Sequence, residues 1–173
     1  LGVFNINENQ ERVQIIEKML TYKIHLENSF DYLIDEIVNY YNSNNQKLDA
    51  NKVVEDPING LKDLKDISFE NSYEAYLITQ IKISILLPRV IEEHVKKLNV
   101  DDNIDIVLEL FELKVYDIKK NIYSSLDEWK MLLDHIDDER ISKISSNPKG
   151  HSDLLLKELL WIRKCEEKHS RNV

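Results

Sequence analysis

The sequence holds one cysteine, three glycines and three prolines in 173 residues, and each scarcity removes a class of protein. A single thiol, Cys165, permits neither an internal disulfide nor a multi-thiolate zinc site, and it fits a reducing compartment, the nucleus or the cytosol. So few glycines and prolines cannot turn the corners of a sandwich or barrel, nor build a glycine-rich nucleotide loop. No stretch approaches the roughly 18 uninterrupted apolar residues of a membrane span, and no basic-then-apolar leader is seen, so a soluble domain with no membrane partner is expected. Positive charge is also short. The 23 Lys and Arg stand against 32 Asp and Glu, a net charge of −9. Nucleic-acid surfaces need clustered cations to displace counterions from phosphates, so direct binding of DNA or RNA is not expected. The basic residues near the C-terminus, Arg163, Lys164, Lys168 and Arg171, read as a solvated helix end.

What remains is a globular balance, 42% apolar and 32% charged, too apolar for intrinsic disorder. The expected fold class is all-α, a bundle of four to five long antiparallel helices. The chain opens on Leu1 rather than Met, so it is read as a fragment of a longer protein, one helical domain over 1–173 with 42–66 as an internal loop region.

Apolar spacing locates the helices. Asn7 and Gln10 have capping-box spacing, and Val13, Ile16, Leu20, Ile24, Phe30, Leu33, Ile34, Ile37, Val38 and Tyr41 then mark the buried side of a long first helix. Asn42-Ser43-Asn44-Asn45 competes for backbone hydrogen bonds and ends it. A second helix starts near Ser72 and is apolar on nearly every face from Tyr73 to Ile91, which makes it the central one, with Tyr73, Leu77, Ile81, Ile85 and Leu87 in the core. Pro88 removes a donor and clashes with the carbonyl of Ser84, so a kink is expected there. Asp101-Asp102-Asn103 caps a third segment running to Ile136, divisible at Ser124-Ser125. Asn147-Pro148-Lys149-Gly150 breaks the chain before a last helix, capped by Ser152.

None of the local patterns reads as chemistry. Asp101, Asn103, Asp105, Glu109 and Glu112 approach the spacing of a calcium loop, but its sixth position needs glycine and holds Ile106 within a helical pattern. Glu166 and His169 form one Glu-x-x-His pair where a di-iron bundle needs two. The run from Asp134 to Glu139 spreads its ligand atoms around a helix. Cys165 and His94 read as packing residues, and Tyr40-Tyr41 and Tyr73 to Tyr76 as core and interface aromatics. The expectation is therefore a non-enzyme with no metal and no cofactor, working through protein partners.

One stretch resembles a known family. Ile67-Ser68-Phe69-Glu70-Asn71-Ser72-Tyr73-Glu74-Ala75-Tyr76, followed by Leu86-Leu87-Pro88-Arg89-Val90, is similar to the signature of the GCFC family, the GC-rich sequence DNA-binding factor-like and Pax-binding and tuftelin-interacting proteins. Asn99-Val100-Asp101 stands where that family commonly has Trp-x-Pro. The resemblance implies a nuclear scaffold of mRNA splicing. It lies closest to the smaller subunit of the yeast NTR complex, whose partners are another GCFC-type splicing factor and a DEAH-box helicase that disassembles the intron-lariat spliceosome. The competing expectation is a helical subunit of a vesicle-tethering or other coiled-coil assembly.

The interface is expected on the last helix. Leu155, Leu156, Leu159, Leu160, Trp161 and Ile162 span more circumference than one core-facing stripe needs, which assigns Leu156, Leu160, Trp161, Arg163 and Lys164 to a protein interface.

Overall fold

A computed structural model of the chain describes residues 2–43, 72–100 and 102–170. Among them the regular elements are all helical: α1 (Gly2–Ser43), α2 (Ser72–Asn99), α3 (Ile104–Ile122), a 3-10 turn (Tyr123–Ser125), α4 (Asp127–Leu133), α5 (Asp138–Ser146) and α6 (Gly150–Ser170). The all-α bundle expected from the apolar spacing is the fold found, with four long helices and two short ones. None of these helices is long and apolar enough to cross a membrane.

The central element is α2. Its buried positions, among them Leu77, Ile81, Ile83, Leu87, Ile91 and Leu98, point in several directions because α1, α3 and α6 all lie against it. Leu77, Ile81 and Leu87 are core residues as expected, whereas Tyr73 and Ile85 are only partly buried. The helix continues through Pro88, so the lost donor and the crowding at Ser84 do not end it.

The long helix α1 runs antiparallel to α2. Lys23 reaches Glu92 at 2.7 Å near one end, and the Tyr41 hydroxyl donates to Glu74 at the other. Two expectations about α1 are corrected. It begins at Gly2, so Asn7 lies inside the helix and not at its N-terminus; an Asn with Gln three residues on fits a helix interior equally well. Its buried line is the expected one in the C-terminal half, at Leu33, Ile34, Ile37 and Tyr41, but not in the N-terminal half. Arg12, Met19, Leu26 and Leu33 recur at intervals of seven and face α2, while Val13, Leu20 and Ile24 are exposed. Arg12 carries the register: its guanidinium donates to the Leu98 carbonyl at 2.7 Å and the Asp102 carbonyl at 2.9 Å. It thereby satisfies orphan acceptors where α2 ends and the chain turns into α3. Asn42 and Ser43 belong to the last turn of α1, and the rest of the expected loop over 42–66 lies outside the described residues.

Asn103 caps α3, its side chain accepting from the Ile106 amide at 3.1 Å. The segment then divides at Ser124-Ser125, as the sequence suggests, and divides again after Leu133. The second break precedes Asp137, whose carboxylate accepts from the Arg140 amide at 2.8 Å and starts α5. The corner into α6 corrects another expectation. The helix opens at Gly150, which has φ 77, two residues before Ser152. The buried Asp153 braces this corner, accepting from the Lys149 amide at 2.8 Å and from the Arg140 guanidinium at 2.6 Å.

Two apolar clusters result. The larger joins all six helices around residues such as Leu26, Ile91, Leu98, Leu126, Ile144 and Leu155. The smaller pins the C-terminal half of α1 to the start of α2 through Leu33, Ile34, Ile37, Tyr41, Leu77, Ile78 and Ile81.

Candidate functional site

The interface expected on α6 is largely dismantled by the fold. Leu155, Leu156, Leu159, Leu160 and Ile162 are all buried inside this chain, because α2, α3, α4 and α5 pack around the helix and cover most of its apolar circumference, leaving Leu154 exposed. Leu156 and Leu160 are therefore core residues, out of reach of any partner. Trp161 is half-buried beside them, with the Lys119 ammonium 4.8 Å from its ring, and Lys119 is held in turn by Glu158 at 2.8 Å. Arg163 pairs with Asp134 at 2.9 Å, and Lys164 is exposed.

The other residues singled out in the sequence are engaged structurally. His94 is buried, its Nδ1 2.7 Å from the Val90 carbonyl and its ring beside Phe111. Cys165 is buried with Sγ 3.6 Å from Glu112; burial first, and then the Glu112 charge, push its thiol up and keep it protonated, the opposite of an activated nucleophile. Glu112 also receives Lys168 at 3.0 Å, and His169 stacks on Tyr116. Of the calcium-like series, Asp101 lies outside the described residues, Asn103 is the cap of α3, and Asp105, Glu109 and Glu112 follow one side of that helix, where Glu112 is taken up by Lys168. Among the described residues, no three His, Cys, Asp or Glu gather as a metal site.

Two surface features among the described residues bear on function. The first is the outward side of α3. Ile106, Leu110 and Leu113 are 58%, 44% and 39% exposed and follow i, i+4, i+7 spacing, so they form one apolar stripe opposite the face that meets α2. Asp105 and Glu109, both exposed, run along one edge of it. Scattered exposed leucines are ordinary; an aligned stripe with a charged margin is the pattern of a helix waiting to be covered. Sequence reading missed it because Val107, Phe111 and Val115 supply a complete core stripe on the same helix, and the additional apolar positions look like part of it.

The second feature is a cleft of about 380 Å³ between α1, α2 and the beginning of α6. Tyr22, His25 and Tyr32 from α1, Tyr73 and Tyr76 from α2, and His151 from α6 contribute the rings. The His151 ring stands 5.0 Å from that of Tyr73 and 4.8 Å from that of Tyr76. Buried Leu26, Leu33 and Leu77 supply the apolar part of the lining. Glu36 also lines it and accepts a hydrogen bond from the Tyr73 hydroxyl, which pushes that phenol up to about 12, with burial adding to the effect. Tyr22 and Tyr76 are raised chiefly by burial, so all three hydroxyls are protonated at neutral pH. The sequence flagged Tyr73 and Tyr76 as aromatics, but Glu36 and His151 carry no local signal that would join them to this place.

Comparison of the chain with known protein families, with curated proteins and with solved structures finds no match.

Proposed function

We propose that the chain is a non-catalytic protein-interaction scaffold that works by presenting the outward face of α3 to a helical partner. The observation that carries this reading is the aligned exposure of Ile106, Leu110 and Leu113 beside the carboxylates of Asp105 and Glu109. An apolar stripe with an acidic margin fits an amphipathic helix whose own margin bears lysine or arginine, since apolar burial supplies affinity and charge complementarity fixes orientation.

The identity of that partner rests on the motif resemblance alone. Read as a GCFC-type protein, the chain is a nuclear splicing scaffold whose partner is another GCFC-type factor, through which a DEAH-box helicase reaches the intron-lariat spliceosome. The motif residues Ser72 to Tyr76 and Leu87-Pro88 support a structural role for the signature: Tyr73 donates to Glu36, Glu74 accepts from Tyr41, and Ala75 and Leu87 are buried. In this arrangement the signature docks α1 on α2 and leaves partner binding to other surfaces.

The test is affinity capture from the source cell with the natural chain and with a triple variant, Ile106→Gln, Leu110→Gln and Leu113→Gln. Gln is a good helix former, so thermal unfolding of the variant should match that of the natural chain. Recovery of splicing-disassembly factors by the natural chain, lost in the variant, is the expected result. Equal recovery by both would remove α3 from the interface, and recovery of vesicle-tethering subunits instead would replace the splicing assignment.

A further inference from the structure

The Tyr and His cleft has a composition that selects for one class of ligand. Its lining holds one carboxylate, Glu36, two histidines, His25 and His151, and no lysine or arginine. Among the described residues Glu36 accepts from Tyr73 and has no cationic partner, so its negative charge sits beside four tyrosine rings without a counter-ion. The phenol oxygens add partial negative charge, because Tyr22, Tyr73 and Tyr76 keep their protons and offer lone pairs. Beneath these polar groups, Leu26, Leu33 and Leu77 give an apolar surface.

Such a space suits a cation on a short hydrocarbon stem. Aromatic faces attract an ammonium through the ring quadrupole, a carboxylate attracts it by charge, and leucines accept its methylenes. The chain already uses the same attraction twice on its own surface, with Lys119 over Trp161 at 4.8 Å and Lys120 over Tyr116 at 5.6 Å. The volume of about 380 Å³ falls in the range of small-ligand pockets. The overall charge of −9 adds a field that concentrates cations near the molecule.

We propose that this cleft binds an alkylammonium group, with Glu36 as the counter-charge and Tyr22, Tyr32, Tyr73 and Tyr76 as the aromatic walls. None of these residues belongs to the α3 stripe, so the failure of either assignment leaves the other standing.

The experiment titrates the full chain with three probes, followed by tyrosine and histidine ring resonances: choline, N-acetyl-lysine N-methylamide, and 3,3-dimethylbutanol, the uncharged isostere of choline. Saturable binding of at least one cation, with none for the alcohol, is expected. Tighter binding of choline would assign the site to a free quaternary amine, and tighter binding of the lysine derivative to a side chain on a protein. Glu36→Gln retains an acceptor for Tyr73 but removes the charge, and should weaken cation binding about tenfold or more. Tyr32→Ala, at an exposed wall position, should weaken it a few-fold without changing the melting temperature. Equal binding of alcohol and cation, undiminished affinity in a folded Glu36→Gln variant, or the absence of saturable binding would each overturn the proposal.

Discussion

Two helices of similar length, α3 and α6, carry apolar residues over more of their circumference than one stripe, yet the molecule treats them oppositely. In α6 most of the surplus is consumed. The helix has α2, α3, α4 and α5 around it, so Leu155, Leu156, Leu159, Leu160 and Ile162 all find cover within the chain. Helix α3 meets α2 and α6 on one side and leaves Ile106, Leu110 and Leu113 outside. The breadth of an apolar stripe therefore says how much surface a helix must hide, and only the position of its neighbours says who hides it.

Three substitutions bear on this difference. The largest effect is expected at Leu155, fully buried in α6, where Leu155→Ala should cost about 2–5 kcal/mol in urea unfolding, the lost transfer energy plus the cavity left behind. A loss below about 0.5 kcal/mol would mean that α6 is not enclosed. Trp161→Ala should be intermediate, about 1–2 kcal/mol, because the indole gives up half-buried contact and its attraction for Lys119. If that variant kept full stability but lost a partner, Trp161 would return to the interface from which the fold has partly withdrawn it. The smallest effect should be that of Leu110→Gln on the outer face of α3, within about 0.5 kcal/mol of zero. A destabilisation comparable to that of Leu155→Ala would show that the stripe is covered by this chain itself.

The same contrast explains what the sequence could and could not disclose. Helical periodicity, the breaks at Ser124-Ser125 and at Asn147 to Gly150, and the central place of α2 depend on local pattern, and all were legible. The orientation of α1 was not. Its apolar residues Val13, Leu20 and Ile24 advertise a stripe, but the helix is registered by Arg12, whose two carbonyl partners, Leu98 and Asp102, lie 86 and 90 positions away. A buried arginine looks like a surface residue until its acceptors are known. The Tyr and His cleft was hidden for a similar reason. Its walls come from three helices, and no spacing rule connects Tyr22, Glu36, Tyr76 and His151. At α6, by contrast, the sequence put the start only a few residues late: the helix opens at Gly150, and Asp153, next to the expected cap Ser152, lies inside it and reaches back to the Lys149 amide.

The corner that launches α6 has a consequence for handedness. Gly150 adopts φ 77, and a β-carbon built there meets nothing within 4 Å, so the obstacle to a side chain is its chirality and not lack of room. An L-residue is strained at that dihedral, whereas the mirror-image residue finds it comfortable. Semisynthesis placing D-alanine at position 150 should thus stabilise the protein by about 0.4–1 kcal/mol, by narrowing the freedom of the unfolded chain, while Gly150→Ala with the natural hand should cost about 1 kcal/mol. One atom on the correct side of the backbone would make the turn more rigid than the glycine that now provides it.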